Sequence, residues 1–268
     1  MMHLTVASWN VDGWHTIRDE QLALLDDSGA ELALLQEVTP ASLERLREAG
    51  WHGASAMELL PDDHVERADV RPRFACAVVG RGRVEVGDAC VLLGAPSPVR
   101  TLAAQVHVEG RPVRAMSAAL PPGSMWGKAA KTGQARVLRE HLRAEERPML
   151  LGIDRNGPRF ERWEPPETVW WPQDDPTLFS TDADHGLTDV LDTLHQMDPA
   201  RRASVQRERP NGPMAVSSIE QRARPPVARR CDVVMASAHW AVGDVIYDDE
   251  ASVLAGSDHA MVVARLGL

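Results

Sequence analysis

Short apolar runs alternate with amphipathic stretches along this chain, and each run ends in polar residues. The runs at 4–10, 31–37 and 148–153 are nearly continuous and rich in Val, Leu and Ile, which is typical of buried strands. Amphipathic stretches with cap residues predict helices at 18–27 and 39–49. This alternation indicates a layered α/β domain.

The remaining elements follow from the same patterns. Strands are predicted at 74–79, 90–93, 100–108, 112–118, 231–237, 240–247 and 260–266, and helices at 126–145 and 187–194. Residues 60–73 have the composition of a surface loop, and 198–230 are rich in Pro and Arg. No repeat or linker divides the chain, so residues 1–268 are expected to form a single domain.

Functional side chains stand at the ends of these apolar runs. Asn10, Gln36, Glu37, Asp154 and Asn156 follow strands, whereas Asp232, Ser257, Asp258 and His259 precede them. Ends that leave and ends that enter strands meet at one edge of a sheet when the neighbouring strands are antiparallel. Carboxylates, carboxamides and a histidine gathered there predict a site for a hard cation with an acid/base residue beside it.

This set of residues, in this order, resembles the endonuclease/exonuclease/phosphatase superfamily, which includes deoxyribonuclease I, exonuclease III-type repair nucleases, sphingomyelinases and inositol-polyphosphate phosphatases. The matching motifs are Trp9-Asn10, Gln36-Glu37, Asp154-Arg155-Asn156, Arg230-Cys231-Asp232 and Ser257-Asp258-His259. They span almost the whole chain. The resemblance implies a four-layer α/β sandwich, in which two mixed β-sheets pack face to face with flanking helices.

The resemblance also implies a bound Mg²⁺ or Mn²⁺. Glu37 is the expected ligand, and Asn10 and Asp258 complete or border the site. Oxygen ligands of this kind suit both cations. Taken alone, Glu37 is equally typical of a surface residue after a strand, and Asn10 of a turn.

Four further residues are expected to act on the substrate. In the family, the residues that match Asp154 and Asn156 orient the attacking water and bind a phosphate oxygen. His259 is the expected acid/base or transition-state-stabilising residue, and Asp232 would fix its tautomer. The alternatives are a turn capped by Asp-x-Asn and a structural histidine.

Two departures from the family pattern stand out. The family motif is more often Gly-Asp-x-Asn, whereas Gly152 stands one place earlier here. More importantly, Ala119 occupies the position of a His or Tyr that contacts the scissile phosphate. By analogy with oxyanion-hole deletions, this loss predicts a rate lower by about 10²–10³-fold. Lys128, His185 or an Arg is a possible substitute.

Arg230, Trp171 and Lys128 are the predicted substrate-binding residues. Arginines are concentrated between 201 and 230, where they either receive phosphates or belong to a solvated loop. Tryptophans follow Asn156 in the irregular region, where they either stack on bases or pack a small satellite core.

Composition limits the classes of function that this chain can have. A net charge of −10 argues against a protein that coats nucleic acid, but not against a nuclease. No apolar run is long enough to span a membrane, and the absence of a leader pattern and the three unpaired-looking cysteines predict a cytoplasmic protein. The predicted function is hydrolysis of DNA or RNA. A small-molecule or lipid-headgroup phosphoesterase, and a catalytically impaired binding protein, remain alternatives.

Overall fold

Two six-stranded β-sheets organise the chain, whose computed structural model describes residues 2–61, 73–157, 160–161, 168–169, 178–179, 183–220 and 225–268. Across the first sheet the strands are β15 (Ala241–Asp248), β16 (Met261–Gly267), β1 (His3–Asn10), β2 (Leu32–Val38), β4 (Ala75–Gly80) and β3 (His52–Ser55). Across the second they are β11 (Leu187–Asp189), β14 (Asp232–Ser237), β8 (Met149–Asp154), β7 (Arg111–Ala119), β6 (Thr101–Val108) and β5 (Val84–Cys90). Two short ribbons pair β9 (Phe160–Glu161) with β10 (Thr168–Val169) and β12 (Ser218–Glu220) with β13 (Val227–Arg229).

Both large sheets are mixed, since β1 and β2 run parallel, as do β7 and β8, while the other neighbours are antiparallel. The helices are α1 (Asp19–Asp27), α2 (Pro40–Glu48), α3 (Ala56–Leu59), α4 (Gly123–Trp126), α5 (Lys128–Arg143), α6 (Val190–Met197), α7 (Pro199–Glu208) and α8 (Asp249–Leu254). Among the helices of the described residues, none combines the length and the apolar character needed to cross a bilayer.

Three apolar cores separate four layers. The largest core lies between the sheets and joins residues such as Val6 and Leu34 of the first to Leu150 of the second. A second core packs α1 and α2 on the outer face of the first sheet, and a third packs α5 on the outer face of the second. Because β1, β2 and β8 are covered on both faces, they are almost entirely buried, which explains their continuous apolar runs. The predicted four-layer sandwich is confirmed.

Strand β8 approaches the first sheet closely at Gly152. A Cβ atom added to Gly152 would lie 2.6 Å from Ser8 Oγ and 2.7 Å from Leu34 Cβ. Beside it, the fully buried Gln36 carboxamide donates to Ser117 Oγ at 3.2 Å and lies 3.4 Å from the Gly152 carbonyl oxygen. Packing between the sheets therefore explains the displaced glycine, and Gln36 connects the two sheets.

We expect Gly152→Ala to lower the free energy of unfolding by about 1–3 kcal/mol, because an extra methyl group overpacks the space between two strands. Urea denaturation measures the change. Gly87→Ala in β5 is the matched control, since the nearest atom to its added Cβ is the Gln105 carbonyl oxygen at an ordinary 3.5 Å. Equal stability of the two variants would contradict the close approach.

Several predicted elements need correction. The predicted strand at 90–93 is wrong, since it shares only Cys90 with β5, an edge strand over Val84–Cys90 whose residues are mostly exposed or half-buried. The predicted helix at 126–145 is divided into α4 and α5 because Gly127 adopts a φ of +79°. The predicted helix at 187–194 begins as β11, and Asp189 then caps α6 by accepting from the backbone N–H of Leu191.

Candidate active site

The ends of strands from both sheets meet at one edge of the sandwich. Asn10 ends β1 and pairs in register with Gln36 of the parallel β2, while Asp154 ends β8 and pairs with Ala119 of the parallel β7. The Asn10 Nδ2 lies 3.3 Å from Asp154 Oδ2, and both residues are buried. The predicted convergence of strand ends therefore takes place across the two sheets.

Asn156 is held in a tight turn directly after β8. Its backbone φ is +47°, and its backbone N–H donates to Asp154 Oδ1 at 2.8 Å. The Asn156 Nδ2 donates to Asp154 Oδ2 at 2.9 Å and to the Leu120 carbonyl oxygen at 2.8 Å, and Lys131 Nζ donates to the Asn156 carbonyl oxygen at 2.9 Å. The Asp-x-Asn segment thus caps its own turn and also fixes the Asn156 carboxamide beside Asp154.

Asp154 is strongly influenced by charged neighbours. The pKa of Asp154 is raised to about 6. Burial is the largest cause, the charge of His259 acts in the opposite direction, and the charges of Asp232 and Glu37 add to the increase. Charges interact strongly in a buried site because little water screens them, so the protonation states of these four side chains depend on one another.

Asp232 and His259 form a hydrogen-bonded dyad. Asp232 begins β14, faces Asp154 across the antiparallel pair with β8, and is completely buried. Its Oδ2 lies 2.8 Å from His259 Nδ1, an arrangement that leaves the other ring nitrogen available to a ligand. Ser217 Oγ, which the sequence patterns did not single out, accepts from the backbone N–H of Asp232 at 3.0 Å.

The backbone of His259 is tied to β1. Trp9 Nε1 donates to the His259 carbonyl oxygen at 2.9 Å. Ser257 Oγ accepts from the His259 backbone N–H at 3.1 Å and donates to the Asn10 carbonyl oxygen at 2.7 Å. Trp9 and Ser257 therefore hold His259 against the first sheet, and this is the structural role of the two motif residues.

Burial lowers the pKa of His259, but the carboxylates of Asp232 and Asp154 raise it more, so it lies well above the usual value. In metal-free protein we expect Asp232→Asn to lower the pKa of His259, measured by NMR titration of the ring protons. Because the folded pKa is raised, the ion pair stabilises the fold fully below pH ~6.5 and loses its effect as pH rises through the folded pKa. The difference in unfolding free energy between wild type and variant should shrink over that interval. An unchanged pKa of His259 in Asp232→Asn would show that the Asp232 carboxylate does not determine it.

Glu37 lies within β2, between the buried residues Gln36 and Val38, where the pairing with β4 is irregular. Its φ is +60°, a left-handed conformation that is uncommon for residues other than glycine. Its Oε2 lies 3.3 Å from the backbone N of Gly13, where a Cβ would come within 2.6 Å of both the Glu37 carbonyl oxygen and the Phe74 ring. The half-buried carboxylate is therefore held at the same edge as Asn10.

The donor set fits a divalent cation. Ligand atoms of Asp154, Asp232 and His259 all lie within 4.8 Å of one another. Asp232 Oδ1 is buried and, among the described residues, has no hydrogen-bond partner. With the oxygens of Asn10 and Glu37 at the same edge, the site offers the ligand type that Mg²⁺ and Mn²⁺ prefer.

Asp258 and Ala119 border this cluster. The Asp258 side chain is 79% exposed, and its Oδ1 lies 4.0 Å from His259 Nε2. Ala119 is buried at the end of β7 beside Asp154, so the substituted position is at the site but presents only a methyl group.

The predicted substrate-binding residues are placed differently. Arg230 is buried and pairs through its Nη1 with Asp189 at 2.7 Å, so its charge is neutralised inside the fold. Lys128 is exposed at the start of α5, whereas Lys131, one turn later, is the lysine that contacts the Asp-x-Asn turn. Trp171 lies outside the described residues.

Other arginines of the 201–230 segment are also used in ion pairs. Arg201 pairs with Asp244 at 2.8 Å and Arg229 with Glu220 at 3.2 Å. Both arginines thus belong to regular elements and pair with acids of the fold, which neither the phosphate-binding nor the solvated-loop alternative predicts.

Neither the family models nor the curated proteins compared with this chain give a match. Several solved structures, by contrast, are similar to this chain. TDP2 from D. rerio, in a complex with single-strand DNA product, has a TM-score of 0.66 and 16% identity, with 99% of each chain covered. An endonuclease/exonuclease/phosphatase from Beutenbergia cavernae has a TM-score of 0.62 and 20% identity, with 100% of this chain and 72% of that one covered.

The human Nocturnin catalytic domain with bound sulfate has a TM-score of 0.60 and 16% identity, with 99% of this chain and 94% of that one covered. Together these similarities confirm, at the level of fold, the resemblance predicted from the motifs. The chain has the endonuclease/exonuclease/phosphatase fold.

Proposed function

We propose that this chain is a phosphodiesterase of the endonuclease/exonuclease/phosphatase superfamily that depends on Mg²⁺ or Mn²⁺ and acts on nucleic acid. The observation that carries the proposal is the Asp232–His259 dyad, at 2.8 Å, beside Asp154 at the shared edge of two sheets. A fold alone is compatible with many functions, whereas this side-chain arrangement is specific to a proton-handling, anion-binding site.

Asn10 and Glu37 would hold the cation, with Asp258 at its border. When bound, the metal would neutralise the phosphate and stabilise the leaving oxygen. Asp154, oriented by Asn10 and by Asn156, accepts a hydrogen bond from the attacking water. The Asn156 carboxamide donates to Asp154 and to the Leu120 carbonyl oxygen, so it would exchange one of these bonds to donate to a phosphate oxygen.

His259 supplies positive charge to the phosphoryl group and holds a proton for the leaving oxygen. Its raised pKa keeps the ring protonated near neutral pH, and Asp232 fixes the ring through Nδ1. Because water attacks directly, Asp232 and His259 need no serine nucleophile.

Nucleic acid is the proposed substrate class. The Asp-His and Asp-x-Asn groups suit any phosphodiester, and a structure with the same fold holds single-strand DNA product. A small-molecule or lipid-headgroup phosphodiester is the second candidate, favoured by the net charge of −10, which weakens long-range attraction of a polyanion. The predicted cytoplasmic location remains a prediction.

Competition between substrates tests the substrate class. Purified protein with Mg²⁺ is given labelled single- and double-stranded DNA, RNA, and a small chromogenic phosphodiester, at low and moderate salt. Cleavage of a polynucleotide that weakens steeply with salt supports the nuclease, because phosphate contacts release counterions. Cleavage of the small ester alone, unaffected by excess polynucleotide, supports the second candidate. No cleavage of any ester would favour a binding protein.

A further inference from the structure

The phosphate-contacting donor that is missing at Ala119 has two candidate substitutes that the structure removes. Both ring nitrogens of the buried His185 are engaged, since Nε2 lies 2.7 Å from the Leu178 carbonyl oxygen and Nδ1 accepts from the Leu187 backbone N–H at 3.1 Å. Lys128 is exposed on the first turn of α5. Lys131 is engaged by the Asn156 carbonyl oxygen at 2.9 Å. An arginine at the same edge is a further candidate.

Arg100 stands at the required place. Thr101, the first residue of β6, pairs with Ala118 of β7, so Arg100 lies at the same sheet edge as Ala119. A short 3₁₀ turn, Pro98–Arg100, leads into the strand and fixes its backbone. Ala119 in turn pairs with Asp154, so along this edge Ala119 lies between Arg100 and Asp154.

The electrostatics of a buried thiol support this placement. Burial raises the pKa of Cys76 to about 12, Arg100 lowers it, and Asp154 and Glu37 raise it. The same sulfur therefore feels the guanidinium and two carboxylates of the site.

The Arg100 guanidinium is held by aromatic rings and not by an acid. Its Cζ lies 5.7 Å from the Phe74 ring centroid and 6.0 Å from that of Trp126. Within the part of the chain that the structure describes, no carboxylate lies within 4.0 Å of it. By contrast Arg114, at the same 8% exposure on β7, lies 3.9 Å from Glu145.

Burying a guanidinium without a counter-ion costs folding free energy. An anion that binds to Arg100 during function would supply the counter-ion. A planar guanidinium also matches two phosphate oxygens at once. Phe74 packs on Gly13, whose backbone N–H contacts the Glu37 carboxylate. The Phe74 ring therefore links Arg100 to the segment that holds Glu37.

We propose that Arg100 binds a non-bridging oxygen of the scissile phosphate and replaces the donor absent at Ala119. The inference rests on the proposed phosphodiesterase function. It explains how an active site can tolerate alanine at this position: the positive charge is supplied by the 3₁₀ turn that leads into β6, the neighbour of β7.

Arg100→Met keeps most of the side-chain volume and removes the charge. With Mg²⁺ present, we expect it to lower kcat/KM by about 10²-fold, and to weaken binding of inorganic phosphate, measured by calorimetry, at least about 10-fold. Arg100→Lys should recover part of both, because it restores a positive charge but not the planar fork.

Arg114→Met is the matched control, since it removes an equally buried arginine at the opposite end of β7. It should lower stability while kcat/KM and phosphate affinity stay within about twofold of the wild type. Unchanged phosphate affinity in Arg100→Met, or equal losses in the two variants, would overturn the inference. Wild-type protein that binds phosphate through Arg100 but hydrolyses no phosphodiester would refute the proposed function alone.

Discussion

His259→Ala is expected to lower kcat by about 10³–10⁴-fold with little change in KM, because the ring acts on charge and protons that develop in the transition state. The structure gives His259 one ring nitrogen for Asp232 and leaves the other for the substrate. Single-turnover hydrolysis of the preferred phosphodiester measures the effect. Far-ultraviolet circular dichroism verifies that the fold is retained.

His239→Ala provides the control for this result. His239 is exposed just beyond the far end of β14, whereas Asp232 is at its near end, so the variant removes an imidazole remote from the site. It should hydrolyse the substrate at the wild-type rate. A His259→Ala enzyme that is equally fast would remove the histidine from the mechanism.

Glu37→Ala is expected to reduce metal-dependent turnover by at least about 10³-fold, because the variant loses an anionic ligand of a cation that neutralises the reacting phosphate. Calorimetric titration with Mn²⁺ should show a matching loss of affinity. The fold should survive, since Glu37 is only half-buried and contributes a single long hydrogen bond to Gly13.

Glu48→Ala is the control for Glu37. Glu48 is exposed at the end of α2, so the substitution makes the same change in net charge away from the cluster. Its cation affinity and turnover should match the wild type. Retention of both properties in Glu37→Ala would exclude Glu37 as a ligand.

The strand ends were predictable from sequence because they combine two strong signals. Strands such as β1 and β8 are buried on both faces, so their apolar runs are continuous and their first polar residue marks the exit from the core. Asn10 and Asp154 are such residues, and they meet at 3.3 Å. Only the fold could bring them together, since they belong to different sheets.

Other elements carry weak patterns for physical reasons. The edge strand β5 buries little of its surface, and α7 has no buried residue, so neither shows a clear apolar period. The four-residue β3 is too short to stand out. Exposure removes the periodic signal on which such predictions depend.

Residues that support the site were hidden for a different reason. Ser217, Lys131 and Arg100 lie close to the site only because of residues far away in sequence, and no motif around them marks them out. The sequence did not single out Lys131, which contacts the Asn156 carbonyl oxygen and lies one helical turn after the predicted Lys128. Arg230 was predicted to bind substrate as a member of the arginine-rich 201–230 segment, but it is buried in an ion pair with Asp189.

The most direct test of the account is hydrolysis of a single-stranded oligonucleotide by metal-stripped protein before and after addition of Mg²⁺, with His259→Ala measured alongside. The account predicts cleavage by the wild type only with Mg²⁺, reversal by EDTA, and loss of cleavage in the variant. Cleavage that persists in EDTA, or that the variant performs as well as the wild type, would contradict a metal-dependent phosphodiesterase centre at this edge of the two sheets.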